Sequence, residues 1–110
     1  MQIVQDDKRH TLVYAIGMKH YAWNAEKNEK LKQERGISFE DVVFHIRSGD
    51  IADIFEHPNQ ARYPGQKILV VVVEAYAYLV PFVESDKEIF LKTIIPSRKA
   101  TKQYAGESND

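Results

Sequence analysis

Ser38-Phe39-Glu40-Asp41-Val42-Val43-Phe44-His45-Ile46-Arg47-Ser48-Gly49 gives way further on to Lys67-Ile68-Leu69-Val70-Val71-Val72-Val73-Glu74, and the change of period between the two decides the fold. In the first stretch Phe39, Val42, Val43 and Ile46 recur at helical spacing, so one helix face is buried. Ser38 caps that helix, Asp41 completes a short version of a capping box, and Ile37 is placed to staple onto Val42. Gly49 closes it. The second stretch is β-branched, with apolar residues on both faces, which reads as a central strand.

Working outward, Asn24 caps a preceding helix over Ala25–Arg35, and Gly36 falls where a left-handed terminal residue belongs. Leu31 is that helix's one large apolar side chain, so it is expected on the surface, held by few contacts. Only Gly36-Ile37 joins the two helices, which makes them neighbours. His20 to Trp23 is a short apolar-aromatic segment before them. On the strand side, Asp50 to Glu56 precedes a turn at His57-Pro58-Asn59. Tyr63-Pro64-Gly65-Gln66 then sets Pro and Gly at the centre of a type II turn. Tyr76 to Val83 follows the central strand, with Pro81 expected to make it locally an edge or a bulge. Glu88 to Ile95 reads as one further strand, and Pro96 or Ser97 opens a short helix through Tyr104. The expected fold is α+β: an antiparallel β-sheet meander with two N-terminal helices packed on one face and a short C-terminal helix.

The 110 residues suit one domain. The absence of cysteine excludes disulfides and thiolate metal sites, and the longest aliphatic run, Ile68 to Val73, is far short of a bilayer span. With no signal-peptide core in the first residues, a cytoplasmic protein is expected. The formal charge of -1 is unevenly laid out: residues 36–86 carry three bases against eight acids, whereas all five bases of residues 87–110 fall between Lys87 and Lys102. Such a basic stretch suits phosphates or an acidic partner, or simply a solvated face.

Metal chemistry finds no support in the spacing of His10, His20, His45 and His57, no glycine motif forms a phosphate loop, and no serine sits on a nucleophile elbow. What remains is cations, histidine and tyrosine near the sheet. RNA cleavage without metal or other cofactor needs a base for the 2′-hydroxyl, cations for the charged phosphorane and an acid for the leaving 5′-oxygen. Lys92, Arg98 and Lys99, on or just after the last strand, are the candidate catalytic residues, together with His57 and Arg62 in the loop before the central strand. Tyr76 and Tyr78 share a strand face suited to stacking on bases, and with Lys102 they are the candidate RNA-binding residues. Each also has a plainer use: His57 shapes a turn, Arg98 and Lys99 cap carbonyls, the tyrosines pack across strands, and Trp23 belongs to the core.

At Trp23-Asn24-Ala25-Glu26-Lys27, Gly36-Ile37-Ser38-Phe39-Glu40-Asp41-Val42 and Ile95-Pro96-Ser97-Arg98-Lys99-Ala100-Thr101 the chain resembles the BrnT family of type II toxins, which are RelE-like ribonucleases. The resemblance covers roughly residues 18–104. It implies a RelE-like domain that cleaves RNA without metal and so inhibits translation. It also implies a ribbon-helix-helix antitoxin of the CopG type as partner, with DNA reached only through that partner and no membrane involved. Arg98 and Lys99 match the family's paired basic residues. Thr93 stands near the place where the family strand carries Arg, with Lys92 beside it, and Glu34-Arg35-Gly36 replaces a Lys-His-Gly. Met18 falls where family members commonly begin. Residues 1–17 are therefore expected to be an extension, with a strand at 11–16, before a single domain over 18–105 and a flexible tail at 106–110. The competing expectation is a non-catalytic interaction module on the same scaffold, favoured by the acidic middle and the departures from the family pattern.

Overall fold

The first helix expected from sequence, α1 (Ala25–Arg35), forms because both its ends are closed locally. The Asn24 side chain accepts the Lys27 N–H at 2.8 Å, and Gly36, at φ 68°, returns its N–H to the Lys32 carbonyl. The second, α2 (Phe39–Arg47), carries the full reciprocal box: Ser38 Oγ accepts the Asp41 N–H at 3.0 Å, and Asp41 Oδ2 accepts the Ser38 N–H at 2.9 Å. The structure, a computed structural model, describes residues 19–105. The strand at 11–16, the extension and the tail lie outside the described residues.

The other elements are β1 (His20–Ala22), β2 (Ile51–Glu56), β3 (Lys67–Val73), β4 (Tyr76–Glu84), β5 (Glu88–Leu91), β6 (Ile95–Pro96) and α3 (Arg98–Tyr104). The sheet runs β1-β5-β4-β3-β2, with β6 also on β4. From β2 to β5 it is the expected meander. β1, however, pairs parallel to β5 (His20↔Glu88, Ala22↔Phe90), so the sheet is mixed rather than wholly antiparallel. The cause is the chain path: β1 leaves into α1 and α2 and the chain re-enters at the far edge, leaving β5 to finish beside β1 without a hairpin between them.

The expected single strand over Glu88–Ile95 is two. Pairing stops at Phe82↔Leu91 and resumes at Leu79↔Ile95, so three residues, Lys92 to Ile94, stand opposite two, Val80 and Pro81, a one-residue bulge. Pro81 explains it. Its carbonyl accepts the Lys92 N–H at 2.8 Å, but it has no N–H to give back on that side. β4 itself stays in the sheet interior, and the irregularity falls on its neighbour. The Ile94 carbonyl, freed by the break, takes a hydrogen bond from Arg35 Nη1 at the end of α1.

Helices cover both faces. On one, Leu31 of α1 and Phe39, Val42 and Ile46 of α2 pack on Leu69, Val71, Val80, Phe82, Ile89 and Leu91. Trp23 joins them, stacked on Phe39 at 5.6 Å. On the other face Ala100 of α3 packs on Val70 and Ala77, flanked by Leu79 and Tyr104. Burying Leu31 to 2% exposure contributes roughly 2 kcal/mol. That alone would hold α1 weakly, but Asn28, buried beside it, accepts the Phe39 N–H at 2.7 Å and donates to Glu40 at 2.8 Å. α1 is thus tied to α2 by polar contacts that its apolar count hides. No helix among the described residues is long and apolar enough to cross a membrane.

Candidate functional site: cationic grooves around one sheet face

Strand alternation sets which side chains share a surface. Ile89 and Leu91 point into the α1–α2 core, so Phe90 between them points to the opposite side, the one α3 covers. Lys92 leaves the strand at the Pro81 break and lays its Nζ 5.7 Å from the Phe90 ring centroid, within cation–π reach. The first turns of α1 come up beside them. Asn24, Glu26, Lys27 and Lys30, with Phe90 and Lys92, line an open groove of about 530 Å³.

Lys27 and Lys30 are three apart and therefore neighbours on the helix surface. Lys19 and Lys67 are both paired to Glu84, and Lys32 to Glu29. Lys27, Lys30 and Lys92, by contrast, have no carboxylate at ion-pair distance among the described residues. Three lysines and one carboxylate, Glu26, in a lining that includes the Phe90 ring give the groove a net positive charge that attracts an anion beside a surface suited to stacking.

α3 supplies a second cationic surface on the side of the sheet to which Phe90 points, whereas α1, with Lys27 and Lys30, packs on the other. It has seven residues, too few to persist alone, and is pinned at both ends. Ser97 Oγ accepts the Ala100 N–H at 3.0 Å, Ser97 N–H reaches the Ala77 carbonyl, and Thr101 Oγ1 accepts the Ala77 N–H at 2.8 Å. At the far end the Tyr104 hydroxyl donates to Asp53 at 2.5 Å. Asp53 faces α3 because a β-bulge between Ile51 and Asp53 turns it from the core. Held this way, α3 hangs Lys99 over a groove of about 220 Å³ floored by Phe55, Val70 and Leu79. Arg98 and Lys102, four apart, stand exposed on the helix.

The other candidates sit elsewhere. His57 and Arg62 belong to the loop 57–66, which is braced from within. Gln60 Nε2 donates to the His57 and Gln66 carbonyls, Gln60 Oε1 accepts the Gly65 N–H, and Gly65 adopts φ 75° in the expected turn. The His57 ring lies 4.4 Å from that of Tyr63, and its Nδ1 accepts the Asn59 N–H at 3.0 Å. That nitrogen is spoken for by the turn, leaving Nε2 as the proton-bearing one in the neutral ring. Arg62 lies over Tyr63, 5.5 Å from the ring centroid. β3 and β4 stand between β2 and β5, so the backbones of His57 and Lys92 are on the order of 14 Å apart, three strand spacings. Their side chains do not meet at one phosphate.

Tyr76 and Tyr78 do share a face, with rings 5.5 Å apart and inclined at 62°. It is the face of α2, since their neighbours Ala77 and Leu79 face α3. Burial, then the nearby Tyr76 and Glu74, pushes the Tyr78 hydroxyl pKa up. The tyrosines and the α3 cations thus lie on opposite sides of the sheet.

Sequence reasoning missed Lys27 and Lys30. Their spacing on a capped helix was visible, but their meeting with Lys92 depends on β1 lying beside β5. It also passed over Thr101 and Ala100 as structural residues: the small side chain lets α3 approach the sheet, and the hydroxyl fastens it.

No family model, curated protein or solved structure matches the chain.

Proposed function

We propose that the chain is a metal-independent endoribonuclease of the type II toxin class its motifs resemble, acting in the cytoplasm on RNA held along the α1–β5 groove. One observation carries the reading: Lys27, Lys30 and Lys92, none of them ion-paired among the described residues, line one open groove with Phe90, whose ring Lys92 overlies. In the proposed reaction the 2′-hydroxyl loses its proton to Glu26, the lining carboxylate, and the 2′-oxygen attacks phosphorus. The P–O5′ bond breaks, leaving a 2′,3′-cyclic phosphate. The ammonium groups hold the charge that grows on the phosphorane, and one of them passes a proton to the departing 5′-oxygen. Phe90 stacks on a flanking base, and Lys99, Arg98 and Lys102, on the side of the sheet to which Phe90 points, hold phosphates beyond it. A ribbon-helix-helix antitoxin of the CopG type would neutralise the protein by covering these basic surfaces.

The second reading, a non-catalytic binding module on the same scaffold, is favoured by His57, whose Nδ1 is committed to its own turn and whose strand stands far from Lys92. An end-labelled RNA incubated with the protein in chelator separates the two. The enzyme yields cyclic-phosphate ends, and replacing Lys27, Lys30 and Lys92 together by Ala slows cleavage by about a hundredfold or more. Expression of the wild type arrests growth, and the triple variant, or Arg98→Ala with Lys99→Ala, relieves it. RNA bound but left intact would establish the module instead.

A further inference from the structure

We infer that the outward face of α2 is a self-association surface, on which a second copy of this chain docks antiparallel across a two-fold axis. Phe44 is 65% exposed, the most exposed large hydrophobic side chain among the described residues. It does not stand alone: with Trp23 and Val43 it lines a mainly apolar groove of about 440 Å³ whose ends are marked by Glu40 and Arg47. Glu40, Phe44 and Arg47 follow one another at four and three residues, so they form a single stripe along α2, turned away from the buried Phe39, Val42, Val43 and Ile46.

The stripe is complementary to itself. The midpoint between Glu40 and Arg47 falls between Val43 and Phe44. A two-fold axis there sets Glu40 of each copy against Arg47 of the other and brings the two exposed Phe44 rings together beside it. Glu40 and Arg47 are about 10 Å apart along the axis of α2, so both charge pairs fit one antiparallel helix contact. A two-fold contact of this kind uses one patch twice and closes on itself. No other partner is needed to account for an acid at one end, a base at the other and an aromatic ring between them. The partner's own chemistry would have to copy that pattern in reverse, which a second copy does by construction. Glu40 is exposed, and its carboxylate is held at the groove's end by the Asn28 Nδ2 donor at 2.8 Å. Arg47 lies over the Tyr21 ring, 5.3 Å from its centroid, which holds the guanidinium at the groove's end. The face is small beside the roughly 800 Å² per partner of a stable complex, so the dimer is weak and concentration-dependent.

Sedimentation equilibrium over a concentration series tests this on the full chain. The wild type should move from one to two chains as concentration rises. Arg47→Glu sets carboxylate against carboxylate at both charge pairs of the dimer and should weaken association by about tenfold or more. Glu40→Arg should do the same through two arginine pairs, and Phe44→Ala should also weaken it. Arg47→Lys keeps the charge and should retain the dimer. The decisive arm mixes the two charge reversals: each alone is monomeric, yet the mixture restores both pairs and should form a dimer of one chain of each kind. Circular dichroism confirms that each variant is folded. If Glu40→Arg unfolds through loss of the Asn28 bond, the Arg47→Glu, Arg47→Lys and Phe44→Ala series decides alone. A wild type that stays monomeric at every concentration, or variants that leave its association unchanged, overturns the inference.

Discussion

Replacing Asn28 by Ala should cost far more than its place on a surface helix suggests. The side chain is 4% exposed and joins two helices: its Oδ1 takes the Phe39 N–H, and its Nδ2 donates to the Glu40 carboxylate. Phe39 opens α2, so its N–H is one of the donors that no helical carbonyl can reach. Leaving it buried and unpaired costs about 1–3 kcal/mol, and the bond to a charged acceptor is worth about 1.5–3 kcal/mol. Glu40 is exposed and regains water, so part of the second loss is recovered. A net loss of about 2–3 kcal/mol is expected, which lowers the melting temperature by roughly 10–20 °C in a domain of this size. Urea unfolding followed by the emission of Trp23, the one tryptophan, gives the difference directly. The pH dependence is a second check. The Asn28 hydrogen bond is the largest cause holding the Glu40 carboxyl below its usual range. Its stabilisation is therefore present above the unfolded carboxylate pKa and lost as pH falls through the lower folded value. The gap between wild type and Asn28→Ala should be widest near neutrality and narrow in acid. Asn28→Asp keeps the acceptor but faces Glu40 with a second carboxylate, so it should gain stability on acidification. A neutral-pH loss below about 0.5 kcal/mol, the scale of an ordinary surface substitution, would be incompatible with a buried side chain bridging two helices.

Glu84 accepts from Lys19 at 2.7 Å and from Lys67 at 3.0 Å. Burial pushes its carboxyl up, and the two lysines more than offset this, leaving it below the usual range. Glu84→Gln should cost about 1 kcal/mol near neutral pH, the upper end for a partly exposed ion pair, and the cost should fade as pH drops through the lowered pKa in urea titrations at successive pH values. Gly65→Ala meets no neighbouring atom, but φ 75° disfavours any side chain, so a loss of about 1 kcal/mol in the same assay is expected. Thr101→Val removes the acceptor for the buried Ala77 N–H and should cost about 1–3 kcal/mol, with faster amide exchange in α3 than in α2.

What was legible in the sequence was local. Asn24, Gly36 and Ser38 with Asp41 set the limits of α1 and α2, because caps act on the residues beside them. Pro64-Gly65 announced its turn for the same reason. The run Lys67–Val73, apolar on both faces, is indeed covered on both faces. Long-range pairing was not legible. Nothing in His20–Ala22 says that its partner is Glu88–Phe90, or that the pair is parallel, since pairing is set by where α1 and α2 carry the chain. Pro81 reads as a disturbance of its own strand, but its missing N–H acts on the neighbouring one, where it splits β5 from β6. The candidate site shares this limit. Arg98, Lys99 and Lys102 cluster because they lie on one short helix. Lys27, Lys30 and Lys92 come together only through the order of the strands, and His57 and Arg62 are kept from them by the same order.

Whether RNA phosphates lie against the α1–β5 groove is read out by the salt dependence of binding. A single-stranded RNA methylated at its 2′-oxygens, and so resistant to cleavage, is titrated with the wild type and with the Lys27, Lys30 and Lys92 triple Ala variant at several salt concentrations. Each phosphate neutralised adds about 0.7 to the slope of log K against log salt, so the wild-type slope should be steeper by about 2. Phe90→Ala should weaken binding by about 1–3 kcal/mol with its slope unchanged. Equal slopes for the wild type and the triple variant would show that the strand does not lie in this groove.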